Sequence, residues 1–221
     1  LADFFASHFR LHARCEISIE GTPETYTPEK IRCLRNNGIT RASVGVQVLD
    51  DDYLKKLNRL HTAQAALSAI GRLGNAGFEH VNVDLIYGFP GQSPWQLLND
   101  LLQVIDSGPD TITMYRLRLQ RGDEFKTGMM HLYNRKPNAF PSQAEVYVMQ
   151  VAARQMQEQS GYTEGPAGWY SKKGSPRVYE NRWVEQDPLV AFGWDTYSYA
   201  RSYEYRNTAS LPTYMYQVRE G

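Results

Sequence analysis

Cysteine is scarce in this chain of 221 residues: Cys15 and Cys33 are the only two. They form no C-x-x-C pair, which excludes a disulfide framework and the common cysteine-rich metal spacings. Reduced thiols in a cytoplasmic protein are the expectation, because disulfides persist in oxidising compartments. An excess of charge of either sign is also lacking, with 24 Lys+Arg against 24 Asp+Glu. Nucleic-acid surfaces usually show a basic excess, so none is expected here. No apolar run approaches the ~20 residues that span a bilayer, and no signal-like apolar segment opens the chain. An initiating methionine is missing too. The chain starts in a helix-like stretch, LADFFASHFRLHAR, and reads as a piece of something longer.

What is present alternates between strand and helix signals. Glu16 to Glu20 (EISIE), Ala42 to Val48, Val81 to Tyr87 and Thr111 to Leu119 read as strands by their apolar periodicity. Thr27-Pro28 and Ser93-Pro94 are N-cap and first-turn signals, and helices are also expected over Asp51–Leu60, Thr62–Asn75 and Ser142–Ser160. Strands separated by helices imply parallel pairing through right-handed crossovers. Gly71, Gly74 and Gly77 lie within and at the end of a helix, so they are no dinucleotide fingerprint. The expected fold is therefore α/β: a partial TIM-like barrel of parallel strands rather than a doubly wound sheet. After Gly161 the texture changes, with nine of the fifteen tyrosines between Tyr162 and Tyr216. Short β-like runs there (RVYENRW, AFGWDTYSYA) predict a smaller α+β, tyrosine-rich segment. The division expected is 1–135 for the barrel part and 136–221 for the segment following it.

A polar residue stands near the end of each strand: Glu20, Gln47, Asp84, then Tyr115 and Arg116. In a parallel barrel the C-terminal rim is where ligands bind. Asp84 carries most weight, because a buried carboxylate is costly unless paired or bound. Its structural alternatives are capping a neighbouring loop or pairing with Arg59. Arg59 could itself pair with Asp50 or Asp51, and Gln47 could be a satisfied rim amide.

EISIEGTP, RASVGVQ, LKKLNRLH and VNVDLIYGFPGQSPW, in this order and spacing, resemble the oxygen-independent coproporphyrinogen III oxidase group of radical S-adenosylmethionine (SAM) enzymes. The likeness runs from about Glu16 to Leu119, and more loosely through AFGWDTYSYA. It implies that Glu20, Gln47, Arg59 and Asp84 surround SAM, with the carboxylates accepting from its hydroxyl or amino groups and the arginine pairing its carboxylate. Arg118 falls where the family places a backbone contact from a small residue, a departure from that pattern. His61 also matches a family position, where a structural role is expected.

The resemblance further implies a [4Fe–4S] cluster held by a C-x-x-x-C-x-x-C loop, since thiolates are the usual ligands. That loop and a G-G-T-P segment are absent here, so the cluster ligands are expected upstream and this piece alone is expected to be inactive. No metal ligand is assigned within the chain, and its catalytic residues stay unassigned. The implied activity is an oxidoreductase acting on a tetrapyrrole or similar substrate through a 5'-deoxyadenosyl radical, with flavodoxin or ferredoxin as electron donor. The alternatives are a haem or cofactor carrier of the same fold and a C-methyltransferase acting on a natural product. A barrel fragment for phosphorylated metabolites would need a glycine-rich phosphate loop, and none is found. The aromatic tail could stack on a flat substrate, although tyrosines in β-rich segments more often serve packing.

Overall fold

A computed structural model describes residues 7–10, 12, 15–119, 128–175, 187–200 and 203–220. Most of the opening LADFFASHFRLHAR stretch and the RVYENRW run lie outside these residues. The chain divides into two compact units, 1–176 and 177–221.

The first unit is built on one six-stranded sheet. Its strands are β1 (Ser18–Gly21), β2 (Arg41–Gln47), β3 (His80–Tyr87), β4 (Thr111–Arg116), β5 (Tyr162–Glu164) and β6 (Trp169–Lys172). Strands β1 to β4 are parallel and lie side by side in chain order; β6 then pairs antiparallel with β4, and β5 with β6. A doubly wound sheet reverses its strand order at a switch point. The unreversed order of β1 to β4 is that of a barrel wall, as the sequence predicts.

The crossovers carry α1 (Pro28–Asn36), α2 (Asp51–Lys56), α3 (Ala63–Asn75) and α4 (Pro94–Asp106). The cap residues set their starts. Thr27 and Thr62 accept from backbone N–H groups in the first turns of α1 and α3, and Ser93 forms a reciprocal capping box with Gln96 at α4. Helices α5 (Gly128–Arg135) and α6 (Gln143–Gln159) follow, and α6 packs against α4. Residues 143–172, from the segment expected to follow the barrel, thus supply a helix and two strands to this first unit.

The two faces of the sheet differ sharply. Ala42, Val44, Val46, Val81, Val83, Leu85, Tyr87, Ile112 and Met114 belong to one core with Ala66, Ile70 and Leu73 of α3 and Leu97, Leu101 and Val104 of α4. The alternate positions point the other way and include Arg41, Ser43, His80, Asn82, Thr111 and Thr113, all buried. Parallel strands covered on both faces normally read as continuous apolar runs. Here one face is polar and, at these positions, buried, a costly arrangement unless its groups bond one another or a ligand.

In the second unit β7 (Tyr197–Ala200) and β8 (Tyr203–Arg206) form an antiparallel pair, followed by α7 (Leu211–Glu220). Strand β7 falls within the predicted AFGWDTYSYA run, so the tyrosine-rich tail does carry a small sheet. No described helix is long and apolar enough to cross a membrane.

Candidate functional site

Strand β3 presents Asp84 on the polar face, opposite Gly45 of β2 and Thr113 of β4. Its carboxylate oxygens are both engaged. Oδ2 accepts from the Ser43 hydroxyl at 3.0 Å, and Oδ1 accepts from the Asn82 amide at 2.9 Å. The same Asn82 nitrogen donates to Ser43 Oγ at 2.8 Å, while the Thr113 hydroxyl donates to Asn82 Oδ1 at 3.0 Å. The Asp84 residue keeps some surface exposed, but its carboxyl lies deep. Burial pushes its pKa up, opposed by hydrogen bonds from Asn82, Ser43 and Thr113 and by the charge of Arg41. Thr113 has one hydroxyl proton and cannot serve Asn82 and Asp84 together; the bond formed is to Asn82.

Gln47 ends β2 with a left-handed backbone (φ 69°), just after a bulge that breaks the register between Gly45 and Gln47. A non-glycine residue in that region is uncommon and marks a held conformation. His61 holds it. Its side chain is fully buried, with Nδ1 3.1 Å from Glu24 Oε2 and Nε2 3.3 Å from the carbonyl of Val46. The bulge turns the Gln47 amide back over Gly45, where a Cβ would stand 2.7 Å from Gln47 Nε2. Gly45 is opposite Asp84, and the space its side chain would take is filled by the Gln47 amide.

The turn after β3 is braced independently. Gln92 Oε1 accepts from the backbone N–H of Gly88 at 2.7 Å and of Phe89 at 3.2 Å, and Tyr53 donates to the Pro90 carbonyl at 2.7 Å. Gly88 and Gly91 both have positive φ, which glycine adopts without strain.

The sequence-predicted residues do not all converge. Asp84 and Gln47 both stand beside Gly45. Glu20 lies on β1 opposite Ser43, on the same face but at an exposed position. Arg59 follows α2, half-buried, and forms no ion pair with Asp50, Asp51 or Asp84; Asp50 caps α2 and Asp51 accepts from the Ala63 N–H instead. Neither alternative pairing of Arg59 is therefore formed. Arg118 is exposed beyond the end of β4 and lines a different cleft of about 880 Å³ with Gly88, Arg116, Tyr133 and Phe140. Ser43, Asn82, Thr113 and Gly45 were not singled out from the sequence. The period-two run Ser43-Gly45-Gln47 beside Asn82-Asp84 was the available signal.

With this geometry in hand, the relatives give the family. The profile of the Radical SAM superfamily matches residues 1–104. The heme chaperone HemW of Haemophilus influenzae is 30% identical over 159 residues, covering 72% of this chain and 39% of that protein. The heme chaperone HemW of Mycobacterium tuberculosis is 36% identical over 122 residues, covering 55% and 31%. The chain thus spans less than half the length of these curated relatives. Among solved structures, coproporphyrinogen III oxidase (HemN) from Escherichia coli superposes with a TM-score of 0.81 at 22% identity, covering 99% of this chain and 52% of that one. That likeness establishes the fold alone. The chain belongs to the radical SAM superfamily and shares the fold of coproporphyrinogen III oxidase.

Proposed function

We propose that the rim formed by Gly45, Gln47 and Asp84 binds SAM, with Glu20 and Arg59 completing its polar contacts. The observation that carries this reading is the Asp84 carboxylate, buried on a polar sheet face opposite Gly45, over which the Gln47 amide is folded. Such a carboxylate accepts from a ribose hydroxyl or an ammonium group, and the Gln47 amide can both donate and accept. Arg59, which forms no ion pair among the described residues, suits the carboxylate of an amino acid.

The superfamily also implies a [4Fe–4S] cluster, and the residues present do not fit it. Cys15 and Cys33 are exposed, on separate segments. Among the described residues no group of three or more His, Cys, Asp or Glu side chains could hold a metal. This chain therefore supplies the contacts to SAM and not the ligands that would let SAM be cleaved.

For the whole protein, the reading is one that handles a tetrapyrrole. The names of the curated relatives favour a haem carrier, while the fold shared with HemN keeps the oxidoreductase reading alongside, with a flavodoxin or ferredoxin as electron donor. Calorimetry of SAM on the intact, full-length protein tests the site. Asp84→Asn is expected to weaken binding at least tenfold, and an unchanged affinity would remove the assignment. Haem titration and anaerobic assay for 5'-deoxyadenosine then separate carrier from enzyme.

A further inference from the structure

The groups behind Asp84 form a chain in which every proton has a direction. Asn82 could be built with its amide reversed, but its oxygen would then face Asp84 Oδ1, and two acceptors would meet at 2.9 Å. The accepting carboxylate oxygen thus sets the amide: both N–H bonds are spent, one on Asp84 Oδ1 and one on Ser43 Oγ. Ser43 Oγ, already accepting, turns its own proton onto Asp84 Oδ2 at 3.0 Å. Thr113 closes the far end by donating to Asn82 Oδ1. Donation runs one way, from Thr113 on β4 through Asn82 on β3 to Ser43 on β2 and back to Asp84.

We propose that Asn82 and Ser43 are positioning residues for Asp84, holding its carboxylate on the sheet side so that its remaining lone pairs face a ligand's hydroxyl or ammonium donors. This rests on the reading that Asp84 contacts SAM. Each carboxylate oxygen accepts more than one hydrogen bond, so one bond from behind orients it without exhausting it. Asn82 and Ser43 are themselves buried. Bonds to the ionised form also favour the charged carboxylate, against the burial that disfavours it.

A purely structural role for this network would show in stability and nowhere else. The positioning role shows in the pH dependence of binding. The charged or titratable groups on this face are Arg41 of β2, Glu20 of β1, His80 of β3 and Tyr115 of β4, with the buried Tyr26 phenol behind them. None of them is altered by the variants chosen.

The test is SAM affinity of the intact, full-length protein measured across pH 5 to 8 by calorimetry, beside a melting curve for each variant. Ser43→Ala removes the donor to Oδ2 and is expected to weaken binding about tenfold. It also moves the acidic loss of binding to higher pH, because the charged form has lost support. Ser43→Thr restores the hydroxyl and should recover both. Asn82→Leu keeps the volume, adds no charge and loses both donors, so its acidic loss should move up further. Melting shifts with unchanged affinity and unchanged pH profile in both variants would overturn the proposal. If Asp84→Asn itself binds SAM normally, the SAM reading fails first. If Asp84→Asn loses binding while Ser43→Ala and Asn82→Leu keep the wild-type profile, only the positioning role fails.

Discussion

Gln47 lies folded over Gly45, its side-chain nitrogen 2.7 Å from the point a Cβ on residue 45 would occupy. Gly45 has ordinary backbone angles, and the next atom that Cβ would meet is the Gly21 carbonyl at 3.7 Å. The Gly45→Ala methyl therefore displaces only the far end of a flexible side chain. It is expected to leave the melting temperature close to wild type while lowering SAM affinity about tenfold. Calorimetry showing full affinity in a folded Gly45→Ala protein would separate the Gln47 amide from the ligand.

His61 is expected to set the same bulge from behind. It joins Glu24 to the Val46 carbonyl, one residue before the left-handed Gln47. His61→Ala leaves a hole where a ring was and removes one of two bonds to the Val46 carbonyl, which keeps the Val48 N–H at 2.9 Å, costing about 2–4 kcal/mol. Urea unfolding reads this directly. A midpoint equal to wild type would show that the bulge holds itself.

Arg59 and Arg118 should part company. Since Arg59 is bound to none of the acidic residues nearest it in sequence, Arg59→Ala should change stability by less than about 0.5 kcal/mol, yet weaken SAM binding. The Arg118 side chain faces the cleft with Arg116 and Tyr133, and the family contact at that position is through backbone. Arg118→Ala should therefore leave SAM affinity within about twofold, well below the 1.4 kcal/mol of a tenfold change. The opposite order of effects, measured in one titration series, would exchange their roles.

The barrel wall was legible because its signals are local. Thr27-Pro28 and Ser93-Pro94 start helices by their own side chains, and Val81, Val83 and Leu85 alternate towards the helices. Strand β4 was expected to reach Leu119 but ends at Arg116. Its neighbour β3 ends at Tyr87, where Gly88 turns away with positive φ; the Leu117 N–H to the Tyr87 carbonyl is the last rung. Strands β5 and β6 were not foreseen, being three and four residues long and paired with a strand far off in sequence. Asp84 stood out as an acid, but Ser43 and Asn82 did not. Their importance lies in a register across three strands that no single segment displays.

Asp100 offers a pH test independent of any ligand. It is 6% exposed on α4 and accepts from the Leu49 N–H at 3.0 Å, and its pKa is pushed up from 3.8 to about 6. Burial is the main cause, with the nearby Asp50 charge adding to it and the Leu49 bond opposing it. The folded state binds this proton more tightly than the unfolded chain does. The resulting stability is complete below the unfolded pKa and is lost as pH rises through about 6. At pH 8 the ionised carboxylate costs about 3 kcal/mol, at 1.36 kcal/mol per pKa unit. Asp100→Asn cannot ionise and keeps an acceptor for Leu49. It should raise the urea midpoint at pH 8 and change it little at pH 4, where wild-type Asp100 is already protonated in the folded state. A gain of equal size at both pH values would mean that something other than the buried charge limits stability at this position.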